Sequence, residues 1–208
     1  THIRFKGRAN MNTPNKLTII RMVLVPIFML LLLWQFKWHS LAALLVFIAA
    51  SLTDMFDGKI ARKRGLVTDF GKFLDPIADK MLTTAAFLGF ICLDIGYGVV
   101  WVTLIVLLRE FTVSSVRMIA AARGKVIAAD KWGKVKTVVQ MVSIIMALTF
   151  EVLKEALMSF GVSDNILKLT GTITGISVTA AIWISAVLTV VSGLNYIFKN
   201  KELLDPSK

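Results

Sequence analysis

Between two apolar runs that are each too short to cross a bilayer, the chain carries DMFDGKIARKRGLVTDFGKFLDPIADK, Asp54 to Lys80, with five acidic and six basic residues. The flanking runs, Leu41–Thr53 and Met81–Leu93, hold 13 uncharged residues each. As helices they would reach about 20 Å, against a hydrocarbon core of roughly 30 Å. The missing length has to come from the adjoining polar sequence. Asp54, Asp57 and Asp79, and likewise Arg109 at the end of another apolar run, are therefore expected at or just below the membrane surface, facing protein or water. Helices that carry charge so far inward predict a polar cavity open on one side.

The rest of the chain fits that frame. Six apolar segments can be read: Met22–Phe36, Leu41–Thr53, Met81–Leu93, Ile95–Leu108, Thr137–Phe150 and Leu169–Phe198. Only the last is long enough by its uncharged residues alone. With 56% hydrophobic and 18% charged residues, the composition is that of an integral membrane protein. The expected fold is all-α, with six transmembrane helices around the cavity. With six spans and both termini on one side, 21 of the 24 lysines and arginines fall on the cavity side, leaving Lys37, Lys154 and Lys168 opposite. The positive-inside rule makes that side cytoplasmic, at an inner membrane. The net charge of +11 is then a matter of cytoplasmic loops and anionic lipid, with no nucleic acid implied. Residues 1–10 read as an appended scar or leader, 11–200 as one membrane domain and 201–208 as a cytoplasmic tail. The first apolar run ends at WQFKWHS, which offers no small-residue signal cleavage site. The single cysteine, Cys92, reads as a buried inert thiol. GYG at 96–98 and SFGVSDN at 159–165 read as turns on the far side, and KRGLVTDFG as a tight half-loop. Gly171 and Gly175 share a helical face that suits helix packing or a dimer seam.

Asp54 and Asp57 are three residues apart and Asp75 and Asp79 four, so each pair shares a helical face. Carboxylates this close repel unless something positive lies between them, most economically a divalent cation. Hard oxygen donors without histidine or cysteine favour Mg²⁺, Mn²⁺ or Ca²⁺, and four carboxylates suit two ions in phosphoryl displacement. Simpler readings exist for single residues. Asp75 before Pro76 makes a good helix N-cap, and Asp54 or Asp57 could pair with Arg62. Intramembrane carboxylates also serve ion transport. None of these accounts for Gly58, Ala61 and Arg62 together with all four aspartates.

The joint spacing is D-x-x-D-G-x-x-A-R, eight residues, then G-x-x-x-D-x-x-x-D, here Asp54, Asp57, Gly58, Ala61, Arg62, Gly71, Asp75 and Asp79. It resembles the signature of the CDP-alcohol phosphotransferase family at every position. TPNKLTIIR, GKFLDPIADK, LREFTVSSVR and GKVKT are similar in particular to the bacterial phosphatidylglycerophosphate synthase branch. The resemblance covers nearly the whole chain from Met11. It implies transfer of a phosphatidyl group from CDP-diacylglycerol to glycerol 3-phosphate with release of CMP, dependence on Mg²⁺ or Mn²⁺, and a homodimer. It further implies that Asp54, Asp57, Asp75 and Asp79 hold two ions and that Asp79 is the base for the acceptor hydroxyl. Gly58, Ala61, Arg62 and Gly71 would meet the CDP-diacylglycerol headgroup, with Lys72 either beside them or solvated.

The acceptor is left open by the signature itself. By resemblance, Arg109, Arg117 and Lys134 map to a pocket for the acceptor phosphate. The ordinary reading of such residues is a set of cations reaching to lipid headgroups, and Lys136, Arg123 and Lys125 are assigned to it. Asn15, Thr18 and Arg21 recur every three residues and could reach the cavity. Inositol phosphate, serine, inositol or phosphatidylglycerol remain alternative acceptors, and a divalent-cation transporter the alternative from another class.

Overall fold

The computed structural model describes residues 13–64, 69–124 and 131–201, and within them the side chains other than those of 13–17, 54–76, 79 and 122. These residues form six helices: α1 (Thr13–Leu33), α2 (His39–Arg64), α3 (Asp69–Cys92), α4 (Val99–Ala122), α5 (Lys131–Ser159) and α6 (Asp164–Lys199). No strand occurs among the described residues. The helices lengthen as the short apolar runs demanded. The apolar part of α2 ends at Thr53, but its helix continues through the charged sequence to Arg64. The uncharged run of α3 begins only at Met81, twelve residues into a helix that starts at Asp69.

Among the described residues, three helices are long and apolar enough to cross a membrane: Val99–Ala121, Lys131–Ser159 and Asp164–Lys199. Uninterrupted uncharged sequence therefore understates α4 and α5. Both helices carry a few ionisable residues inside a span-length apolar segment, and Arg109 and Glu110 answer each other's charge there. The outward faces of all six helices are lined with exposed large apolar residues, among them Val23, Leu30, Leu45, Leu104, Val142 and Ile184. A surface of this kind belongs in lipid.

Inside, Phe28, Leu32, Phe47, Phe87, Phe90, Ile144, Leu148 and Ile182 form one buried cluster shared by α1, α2, α3, α5 and α6. The rings of Phe28 and Phe47 lie 5.6 Å apart, tying α1 to α2. Helix α1 also approaches α3 closely at Gly89, where an added Cβ would overlap Leu32 Cδ2. In lipid such contacts hold helices by close packing, since the tails are as apolar as the side chains.

The far-side connections match the turn sequences. Asp94, Gly96 and Gly98 all have positive φ, so α3 reverses into α4 within six residues. Tyr97 N–H donates to Thr179 Oγ1 at 2.9 Å and Trp183 Nε1 to Tyr97 O at 3.0 Å, fastening this turn to α6. Gly161, also at positive φ, lies between α5 and α6. Residues 65–68 of the expected half-loop between α2 and α3 lie outside the described residues.

Two expectations need correcting. Cys92 is exposed, at the last residue of α3, where the helix gives way to the turn into α4. Asp75 and Pro76 fall inside α3, which begins six residues earlier at Asp69, so Asp75 is not its N-cap. A Cβ added at Gly171 or Gly175 would meet nothing within 4 Å among the described residues, so these glycines pack against no other described helix.

Candidate active site

A cavity of about 120 Å³ opens among α1, α2, α3, α4 and α5, lined by Arg21, Ser51, Lys80, Leu82, Thr83, Glu110, Lys136, Thr137, Gln140 and Met141. Its depth follows from the helices. Arg21 lies twelve residues before the end of α1, and Lys80 twelve before the end of α3. Each is thus about 18 Å from the far end of its helix. Charges at this depth have to face protein or water rather than lipid.

Glu110 is the centre of the cluster. Its carboxylate pairs with Lys136 Nζ of α5, with Arg109 Nη1 at 3.1 Å, and with Lys80 Nζ of α3 at 3.8 Å. The second-rank contacts fix each cation in turn. Lys136 also donates to Gln140 Oε1 at 3.0 Å, Lys80 to the Ser114 hydroxyl, and Arg109 Nη2 to Ser192 Oγ of α6 at 2.8 Å. Arg109 sits behind this wall, between Gly133 and Gly193. A Cβ on Gly193 would stand 2.9 Å from Arg109 Cγ, and one on Gly133 would be 3.5 Å from Nη2.

The sequence candidates are distributed unevenly around this cluster. Arg109 is largely but not fully buried and hydrogen-bonded as described, Arg117 lies over the Tyr196 ring at 5.6 Å, and Lys134 is exposed. None of these three is on the cavity wall. The cations that are on it are Arg21, Lys80 and Lys136. Lys136, assigned by sequence to lipid headgroups, is in fact buried at 4% exposure. Lys134 and Lys136 stand about 200° apart around α5, so they face opposite ways. Thr18 is buried at 1% and Arg21 at 2%, while the side chain of Asn15 lies outside the described residues. The signal missed in α5 is the buried polar series Lys136, Gln140 and Ser143, which forms one stripe at helical spacing.

The side chains of Asp54, Asp57, Gly58, Ala61, Arg62, Gly71, Lys72, Asp75 and Asp79 lie outside the described residues, although their backbone is helical. Asp54 and Asp57 occupy one turn of α2, and Asp75 and Asp79 successive turns of α3. Ser51, one turn before Asp54, and Lys80, next to Asp79, both line the cavity. A donor set of four carboxylates in this register fits Mg²⁺ or Mn²⁺. Among the described residues no other group of three His, Cys, Asp or Glu residues could hold a metal ion.

Residues 11–191 match the family model of CDP-alcohol phosphatidyltransferases. The chain belongs to that family. Similar proteins include the CDP-diacylglycerol–glycerol-3-phosphate 3-phosphatidyltransferase of Bacillus subtilis, 38% identical over 208 residues, covering 94% of this chain and 98% of the relative. The probable phosphatidylglycerophosphate synthase of Mycobacterium tuberculosis is 44% identical over 143 residues, 66% of each chain. The Escherichia coli CDP-diacylglycerol–glycerol-3-phosphate 3-phosphatidyltransferase is 40% identical over 138 residues, 64% of this chain and 74% of the relative. Family membership and the three span-length apolar helices make this an integral membrane enzyme of phospholipid synthesis.

Proposed function

We propose that the protein transfers the phosphatidyl group of CDP-diacylglycerol to glycerol 3-phosphate, giving phosphatidylglycerophosphate and CMP, at the cytoplasmic face of an inner membrane. The observation that carries the acceptor is the cavity wall, where Arg21, Lys80 and Lys136 from three helices border one space beside the aspartate-bearing turns. A neutral alcohol has no use for so many cations, whereas a phosphate monoester answers them. Arg109, Arg117 and Lys134 are proposed to serve the same phosphate from outside the wall, and the names of the relatives favour the same acceptor.

In the reaction the acceptor hydroxyl oxygen bonds to the phosphorus that carries the diacylglycerol, and the phosphoanhydride bond to CMP breaks. Asp79 receives the hydroxyl proton as general base. CMP leaves with the bridging oxygen. Asp54, Asp57, Asp75 and Asp79 would hold Mg²⁺ or Mn²⁺, which when bound supplies charge neutralisation for the diphosphate and the departing CMP. Gly58 and Ala61 leave room for the cytidine and diphosphate against α2, Arg62 contacts the diphosphate, and Gly71 and Lys72 flank it from the start of α3. The acyl chains stay in lipid while the soluble acceptor enters from the cytoplasm. A homodimer is proposed as the assembled form.

The test is CMP release by purified protein with Mg²⁺ and CDP-diacylglycerol, offered glycerol 3-phosphate, inositol phosphate, serine or no acceptor. Release with glycerol 3-phosphate alone is expected. Release with serine alone would overturn the assignment of the cationic wall.

A further inference from the structure

Glu110 has no place in the aspartate signature, yet three cations from three helices converge on it. Its Oε1 takes Lys136 and Arg109, and its Oε2 lies 3.8 Å from Lys80. Two of those cations, Lys80 and Lys136, line the cavity together with Glu110 itself. The third does not, because Arg109 is held from behind by Ser192 and wedged between Gly133 and Gly193. The guanidinium is a rigid fork fixed at both tines, and the two ammonium groups are point charges on flexible stems. The arrangement thus runs outward from a fixed anchor to movable heads: Ser192, Arg109, Glu110, then Lys80 and Lys136.

We propose that Glu110 is a positioning residue for the acceptor, gathering Lys80 of α3 and Lys136 of α5 at one wall so that an incoming phosphate monoester is received there. This rests on the function proposed above. Without the carboxylate, two ammonium groups brought to one wall repel each other. Each has another partner to turn to, Ser114 for Lys80 and Gln140 for Lys136. The carboxylate offsets that repulsion and so holds both ammonium groups at the one wall. A pair serving only to hold helices would gain nothing from lying on a cavity wall.

The experiment compares wild type, Glu110→Gln and Glu110→Asp for kcat and for KM toward each substrate, with thermal unfolding in detergent as the check on folding. Glu110→Gln is expected to raise the KM for glycerol 3-phosphate by about tenfold or more, with the KM for CDP-diacylglycerol within about twofold of wild type. Glu110→Asp keeps the charge with a shorter reach and should fall between the two. Should Glu110→Gln not fold, the Asp variant carries the test with an expected rise of about threefold in the same KM alone. Unchanged KM for glycerol 3-phosphate, or equal rises for both substrates, would overturn the positioning role. The wild-type acceptor panel judges the function separately. A wild type specific for glycerol 3-phosphate with no KM split in the variants overturns only the role of Glu110, whereas a wild type active only with a neutral acceptor overturns both.

Discussion

Two glutamates join helices across this bundle, one at each end, and they do so with different partners. Glu155 of α5 accepts hydrogen bonds from the backbone N–H groups of Trp38 and Ser40, at the start of α2. It supplies the cap that the first turn of α2 lacks, with its charge at the positive end of the helix dipole. Trp38 holds a positive φ of 67° there. Glu110 at the cavity meets only side chains, two of them lysines with long stems. A backbone amide cannot leave its helix to meet a ligand, but a lysine head can turn. The same carboxylate chemistry therefore fixes the fold at one end and arranges a binding surface at the other, with the Phe28–Phe47 and Phe87–Phe90 core between them.

Variants at the cavity end should lose function, whatever they cost in stability, and the far-end variant should lose stability alone. The largest effect is expected for Asp79→Asn, which should lower kcat about a thousandfold while substantial CDP-diacylglycerol binding survives. Steady-state CMP release and a donor-binding assay check it, and normal turnover would remove Asp79 as the base. Removal of divalent ions with EDTA should abolish CMP release, and added Mg²⁺ or Mn²⁺ should restore it; undiminished release in EDTA would remove the ions from the reaction. Gly193→Ala comes next. Its Cβ would press on Arg109 Cγ, at a cost of about 1–3 kcal/mol, and should raise the KM for glycerol 3-phosphate several-fold. A shift in unfolding temperature without any change in that KM would make Arg109 purely structural. Glu155→Gln should have the smallest effect on activity. It should cost about 1 kcal/mol of stability, read by thermal unfolding, and leave both KM values as they were.

Much of the fold was legible because short apolar runs have few ways to satisfy a bilayer. The continuation of α2 and α3 into charged sequence, the glycine turns at 96–98 and 161, and the register of the four aspartates all follow from periodicity and turn chemistry. The cavity wall was less legible. Lys134 and Lys136 look alike in sequence, and only their angular separation on α5 sends one to the surface and the other inward. The polar stripe of Lys136, Gln140 and Ser143 was the available signal, matched on α6 by buried Ser185, Thr189 and Ser192. The convergence on Glu110 could not be read in this way. It depends on α3, α4 and α5 meeting at residues 26 to 56 positions apart in the chain, a matter of helix packing rather than of local pattern.

The cationic wall is tested most directly by titrating glycerol 3-phosphate in the CMP-release assay with wild type and Lys136→Met. Lys136 is the most deeply buried of the three cations on Glu110 and the one that sequence alone sends to lipid headgroups. A KM for glycerol 3-phosphate raised by about tenfold, beside an unaltered KM for CDP-diacylglycerol, is the expected result. An unaltered KM for glycerol 3-phosphate in a folded Lys136→Met protein would contradict it and place the acceptor phosphate elsewhere.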